Sequence, residues 1–173
     1  IQYSDEVPPT FSDYAQTVKN ILKGRDLKII FEPGRALIGK AGILLTEVEY
    51  IKHSSEKNFI IINAAMNDLM RPSLYGAFHE IMNLSPNDSE KKYYDIVGPV
   101  CETGDFLGKD RFISALEGNI LAILDTGAYG MSMSSNYNSR PKSSEILVDD
   151  DKLHLIRNRE NFADLINGEQ LLP

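Results

Sequence analysis

Leu27-Lys28-Ile29-Ile30-Phe31-Glu32-Pro33-Gly34-Arg35 decides the fold. Its apolar half does not alternate with polar residues, which is the pattern of a strand buried on both faces in a parallel sheet. Upstream, Pro8-Pro9-Thr10 marks a helix start, with Thr10 as N-cap and Asp13 in a weakened capping box. Phe11, Tyr14, Ala15, Val18, Ile21 and Leu22 then recur at helical spacing, and Gly24 supplies a stop. A helix, a buried strand and a polar loop at the strand's C-terminal end make up the repeating unit of a (β/α) barrel, whose active sites sit at that end. The first residue is Ile1 and not Met, and Ile1-Gln2-Tyr3 reads as the continuation of an extended segment, so further sequence is expected upstream.

Beyond Arg35 the texture changes. Apolar segments at 41–51, 59–62, 93–100, 120–124 and 145–148 are separated by turn-rich pieces such as Ser54-Ser55-Glu56-Lys57-Asn58 and Pro86-Asn87-Asp88-Ser89. Short strands with frequent turns predict an antiparallel sandwich or barrel. Asp149-Asp150-Asp151 precedes another apolar segment at 153–156, which predicts a hairpin with a charged tip. Phe162, Leu165, Ile166 and Leu171 predict a terminal amphipathic helix interrupted at Gly168. The expected fold is α+β overall: residues 1–35 form the C-terminal end of a (β/α) barrel, its last helix and strand, and residues 36–173 form a mostly antiparallel β-barrel or sandwich domain.

The chain's 173 residues suit one domain, or one domain plus a piece of another. Lys and Arg total 18 against 25 Asp and Glu, a net charge of -7 that repels phosphate backbones and argues against nucleic-acid binding. No apolar run approaches the roughly 20 residues that span a bilayer, and no signal core is present, so a cytoplasmic protein without a membrane partner is expected. Cys101 is the only cysteine, which fits a reducing compartment. His53, His79 and His154 are scattered, with no metal-ligand spacing and no glycine-rich nucleotide loop, so no metal site is expected.

Three polar islands stand out: Glu32-Pro33-Gly34-Arg35, residues 67–75 around Arg71 and Tyr75, and Cys101-Glu102-Thr103-Gly104-Asp105. Chargeable loops on a rigid scaffold are where binding and catalysis concentrate. Each also has a plainer explanation. Glu32 to Arg35 fits an ordinary turn as well as an anion-binding loop. Arg71 fits a surface ion pair and Tyr75 an aromatic at the core edge. Cys101 fits a small buried hydrophobe, or a protonated thiol that donates a proton beside carboxylates. Gly127-Ala128-Tyr129-Gly130 presents either one phenol on a tight backbone or a hairpin end with an exposed ring. The segment Ser134-Ser135-Asn136-Tyr137-Asn138 would pass for a flexible loop, but so long an uncharged run is odd for solvent-facing sequence.

In their order along the chain, Phe31-Glu32-Pro33-Gly34-Arg35, Asn67-Asp68-Leu69-Met70-Arg71-Pro72, Cys101-Glu102, residues 125–130 and residues 133–141 resemble the C-terminal part of the diaminopimelate decarboxylases. These belong to the pyridoxal-phosphate-dependent ornithine, diaminopimelate and arginine decarboxylase family, which has an alanine racemase-like fold. Ornithine decarboxylases place aspartate where this chain has Glu102 and lack Met70-Arg71-Pro72. The resemblance implies an enzyme of lysine biosynthesis that converts meso-2,6-diaminopimelate to L-lysine and CO2 with pyridoxal 5'-phosphate. Glu32, Pro33, Gly34 and Arg35 would border the cofactor phosphate, with Arg35 also reaching a substrate carboxylate. Arg71 and Tyr75 would fix the substrate, Glu102 would bind its distal ammonium, and Tyr129 would contact the cofactor. Cys101 would be the general acid, on a loop that reaches the neighbouring subunit's site in a homodimer. The family's Schiff-base lysine and glycine-rich phosphate loop have no counterpart in this sequence, so the chain alone is expected to be inactive. Two other readings stay open: a decarboxylase of the same fold for ornithine or carboxynorspermidine, and a dimerisation module without chemistry.

Overall fold

The computed structural model describes residues 6–85 and 88–172. Helix α1 (Phe11–Ile21) begins as expected. Thr10 Oγ1 accepts the Asp13 N–H (3.1 Å) and Asp13 Oδ2 accepts the Thr10 N–H (3.0 Å), so two N–H groups that the helix leaves open are satisfied. Gly24 takes a left-handed φ of 80°. Residues 27–31 depart from expectation. They pair with no strand among the described residues, and Leu27, Ile29, Ile30 and Phe31 are exposed. An apolar run becomes a strand only where a neighbour accepts its backbone hydrogen bonds. Its clearest packing partner is α1, through an edge-on contact of Phe31 with Tyr14 at 6.0 Å.

The rest is mostly sheet. Two short 3-10 turns, Gly34–Ala36 and Gly39–Ala41, lead into β1 (Leu44–Lys52), β2 (Phe59–Ile62), α2 (Arg71–Tyr75), β3 (Ile81–Asn83), β4 (Lys92–Val97), β5 (Phe106–Ile113), β6 (Ile120–Ile123), β7 (Glu145–Asp149), β8 (Lys152–Arg157) and α3 (Phe162–Leu165). Six strands form one sheet in the order β3-β6-β1-β2-β4-β5. Every pairing is antiparallel except β2 with β4. The two edge strands approach each other, and a Cβ placed on Gly108 of β5 would lie 3.0 Å from Ile81 Cδ1 of β3. The sheet thus curls into a nearly closed barrel around Val48, Ile60, Ile62, Ile96, Leu107, Leu121 and Ile123, with Leu69 inserted from the loop before α2.

Strands β3 and β5 are absent from the apolar pattern of the sequence. β3 has only three residues. β5 is interrupted by Gly108, Lys109, Asp110 and Arg111 at shifts in its register with β4, where Asp110 adopts φ 51° and donates its N–H to Asp95 Oδ1 at 2.9 Å. Such irregularities break the period-two alternation that reveals a strand. The expected hairpin forms from β7 and β8 around Asp150, which has φ 51°. The terminal helix is shorter than expected, four residues capped by Asn161, and Gly168 at φ 97° lies beyond it. The turn at Ser54 closes on Lys57 through the serine hydroxyl. Pro86 and Asn87 of the second predicted turn, and Ile1-Gln2-Tyr3, lie outside the described residues.

Ile96 is fully buried in the barrel. Ile96→Ala is expected to lower the unfolding free energy by about 2–5 kcal/mol through lost burial and the cavity left behind, measured by urea denaturation.

Candidate functional site

The loop after β2 organises the site. Asp68 Oδ2 accepts the Ala65 N–H at 2.9 Å, which tightens the turn that drives Leu69 into the barrel. Asn67 is wholly buried and ties this loop to a distant one. Its amide donates to Ser135 O (3.3 Å), its Oδ1 accepts Arg140 Nε–H (2.9 Å), and its backbone carbonyl accepts the Ser135 N–H (2.9 Å). Arg140 also donates to Asn63 O at 2.6 Å and lies 3.7 Å from Asp68 Oδ2. Pro72 sits in the first turn of α2, where its missing N–H costs nothing, and Gly76 ends the helix at φ 61°. A single turn places Arg71 and Tyr75 on one face and Ser73 on the opposite one.

Arg71, Tyr75, Tyr129 and Met133 line a cleft of about 290 Å³. The Arg71 guanidinium lies 5.3 Å from the centre of the Tyr75 ring and 5.7 Å from that of Tyr129, within cation–π range of both. Its Nε is buried and has no hydrogen-bond partner among the described residues. Tyr129 holds φ 62° and Asp125 φ 60°, each at a cost of about 1–2 kcal/mol for a residue with a side chain. Backbone contact stabilises this loop. Gly127 donates to Gly39 O (3.0 Å) and Thr126 to Gly42 O (2.9 Å), and a Cβ on Gly127 would meet Ile38 O at 2.1 Å. The chain between the two 3-10 turns is therefore pressed onto the tyrosine loop. A Cβ on Gly34 would lie 3.9 Å from the Tyr129 hydroxyl. Arg35 is half-buried, and burial with the nearby charge of Arg71 lowers its pKa, opposed by Asp125 and Tyr129. Glu32 and Pro33 stand exposed at the start of the same turn.

His79 belongs to this neighbourhood and was not singled out in the sequence as a site residue. It is 1% exposed, and its Nδ1 lies 2.8 Å from Leu124 O. Nδ1 is therefore the donor, and Nε2 is left as a buried acceptor without a partner among the described residues. Burial pushes its pKa below the usual value; the Leu124 bond opposes this, and the charges of Arg71 and Arg35 add to it. No spacing in the sequence reveals it, because the end of β6 brings Leu124 to it.

Cys101 and Glu102 lie in the loop joining β4 to β5. Asp105, nearly fully buried, holds that loop: its carboxylate accepts the Met66 N–H and the Val100 N–H, each at 2.7 Å. Burial raises the Asp105 pKa, and the two backbone bonds oppose the rise. Cys101 is exposed, so it is not the buried hydrophobe that residue type alone allows. Glu102 Oε1 accepts the Gly104 N–H (3.3 Å), and Oε2 accepts the Tyr137 hydroxyl (3.3 Å). The Ser73 hydroxyl donates to Gly104 O, so this loop leans on the face of α2 opposite Arg71 and Tyr75. The predicted residues thus form two groups. Arg71, Tyr75 and Tyr129 line one cleft, with Gly34 near the Tyr129 hydroxyl and Arg35 near Arg71, while Cys101 and Glu102 do not line it and Glu102 bonds Tyr137. A larger depression of about 530 Å³, lined by residues that include His53, Glu90 and Glu117, holds none of the predicted residues.

The sequence model described as pyridoxal-dependent decarboxylase, C-terminal sheet domain, matches residues 36–127. Diaminopimelate decarboxylase of Pseudomonas aeruginosa is 50% identical over 173 residues, covering all of this chain and 42% of that protein. The crystal structure of diaminopimelate decarboxylase from Helicobacter pylori complexed with L-lysine superposes with a TM-score of 0.88 at 46% identity, covering 96% of this chain and 41% of the other. The crystal structure of diaminopimelate decarboxylase from M. jannaschii superposes with a TM-score of 0.91 at 41% identity, covering 99% of this chain and 41% of the other. The chain spans about two fifths of the length of the curated relatives it matches.

Because the pKa of His79 is lowered from 6.5 in the fold, its contribution to stability is complete above that value and is lost as pH falls from there through the folded value. Urea unfolding of wild type and His79→Phe from about pH 7.5 down to about 5 is expected to show the difference shifting in the variant's favour. A pH-independent difference would remove the buried neutral ring from the account.

Proposed function

The chain belongs to the pyridoxal-dependent decarboxylase family, and on that premise we propose that it is the C-terminal part of a diaminopimelate decarboxylase, which converts meso-2,6-diaminopimelate to L-lysine and CO2. The supporting observation is the cleft of Arg71, Tyr75, Tyr129 and Met133, with Arg35 beside it and Arg71 Nε buried without a partner among the described residues. Two neighbouring guanidinium groups repel each other unless an anion lies between them, and a planar fork matches a carboxylate or phosphate.

These residues fit pyridoxal phosphate. The turn at Glu32, Pro33, Gly34 and Arg35 would hold its phosphate, and Tyr129 would lie against the cofactor. When bound, the cofactor takes up the electrons left as CO2 departs. Arg35 and Arg71, with Tyr75, hold the substrate's carboxylates. Glu102 receives the distal ammonium. Cys101 Sγ delivers a proton to the carbon that has lost CO2. No lysine among the described residues lines the cleft, so the lysine that anchors the cofactor is assigned to a part of the enzyme outside this chain, and the isolated chain is inactive.

The loop of Cys101 and Glu102 leans, through Gly104, on the face of α2 opposite Arg71, which favours a homodimer in which this loop enters the partner's cleft. Residues 1–35 then belong to the cofactor-binding barrel and residues 36–173 to the β-domain. A cytoplasmic enzyme fits the exposed free thiol.

In the full-length enzyme, Cys101→Ala is expected to lower kcat by about 10²–10⁴-fold with little change in KM, measured as lysine formation from meso-diaminopimelate. An unaltered kcat would remove Cys101 as the proton donor, and faster turnover of ornithine by wild type would overturn the substrate. The 173-residue chain assayed alone is expected to give no lysine.

A further inference from the structure

We infer that Tyr137 is a positioning residue for substrate selection, its phenol aiming the Glu102 carboxylate at the distal ammonium of the substrate. The inference rests on the role of Glu102 proposed above. Glu102 is exposed, and none of the ion pairs among the described residues includes it. A carboxylate destined for a ligand's cation needs this arrangement, because a lysine or arginine beside it would already occupy its charge. It also needs a fixed orientation, which a long glutamate side chain lacks in water. Two neutral donors provide it: the Gly104 N–H on Oε1 and the Tyr137 hydroxyl on Oε2, both at 3.3 Å. They hold the carboxylate plane without neutralising it, and each oxygen keeps acceptor capacity.

Tyr137 is itself held in place. Ser135 donates its N–H to Asn67 O at 2.9 Å, and Tyr137 donates its N–H to Ser135 Oγ at 3.3 Å. On the other side Asn136 donates to Arg140 O (3.0 Å) and Glu160 Oε2 (2.6 Å). Asn138 and Ser139 follow with φ 59° and 54°, a pair of left-handed residues that a free loop would relax. The uncharged run at 131–139 thereby acquires a purpose. It brings a phenol to Glu102 and keeps every competing cation of its own away.

The test uses the full-length enzyme and compares wild type, Tyr137→Phe, Glu102→Gln and the double variant. KM and kcat for meso-diaminopimelate are measured, with the inhibition constant of 2-aminopimelate, which has both carboxylates and lacks the distal ammonium. Loss of a hydrogen bond to a charged group is expected to raise KM for diaminopimelate about tenfold in Tyr137→Phe. kcat and the 2-aminopimelate constant stay unchanged, and the double variant is no worse than Glu102→Gln. An unchanged KM in Tyr137→Phe while Glu102→Gln is impaired overturns this inference alone. Equal weakening of both ligands by Tyr137→Phe also overturns it, since that marks a general structural role. Intact kinetics in Glu102→Gln would instead overturn the proposed role of Glu102.

Discussion

The buried carboxylate of Asp105 is the interaction on which the placement of the polar loops depends. It accepts one N–H from Met66, on the loop after β2, and one from Val100, beside Cys101. Its own backbone carbonyl accepts the Gly98 N–H at 3.1 Å. A Cβ on Gly98 would fall 2.4 Å from the carboxylate, so only glycine allows the approach. Burying a charge is unfavourable unless it is hydrogen-bonded, and the raised pKa shows the residual cost. In exchange, two loops far apart in sequence have one relative position.

Asn67 extends the same logic to a third loop. A wholly buried amide must find partners, and it finds them in Ser135 and Arg140. The uncharged loop is thereby fixed against the loop that carries Arg71, and through Tyr137 against Glu102. The polar network replaces what apolar packing cannot supply at the surface, since a barrel core orders strands but leaves their connecting loops free.

The cleft depends on a different device, close backbone approach. Glycines at 42 and 127 let residues 33–42 lie directly on the tyrosine loop, and that contact balances the left-handed conformations of Asp125 and Tyr129. One guanidinium is brought beside another as a result. α2 then divides the functional groups, with Arg71 and Tyr75 on one face and Ser73, leaning on the Cys101 loop, on the other.

The capped helix α1, the strands β1, β2, β4 and β6, the charged hairpin and the polar islands were legible because each is local: a cap, an apolar run or a turn residue acts within a few positions of itself. The words around Arg35, Arg71, Cys101 and Tyr129 likewise carried the family. Residues 27–31 show the limit of local pattern, since an apolar run says nothing about whether a neighbour is present to pair with it. β5 escaped notice because Gly108 to Arg111 follow the needs of a bulge. The neutral burial of His79, the bond from Tyr137 to Glu102 and the separation of Cys101 from the arginines depend on contacts across 31 positions or more. Only the curled sheet, by bringing strand ends and their connecting loops together, could decide them.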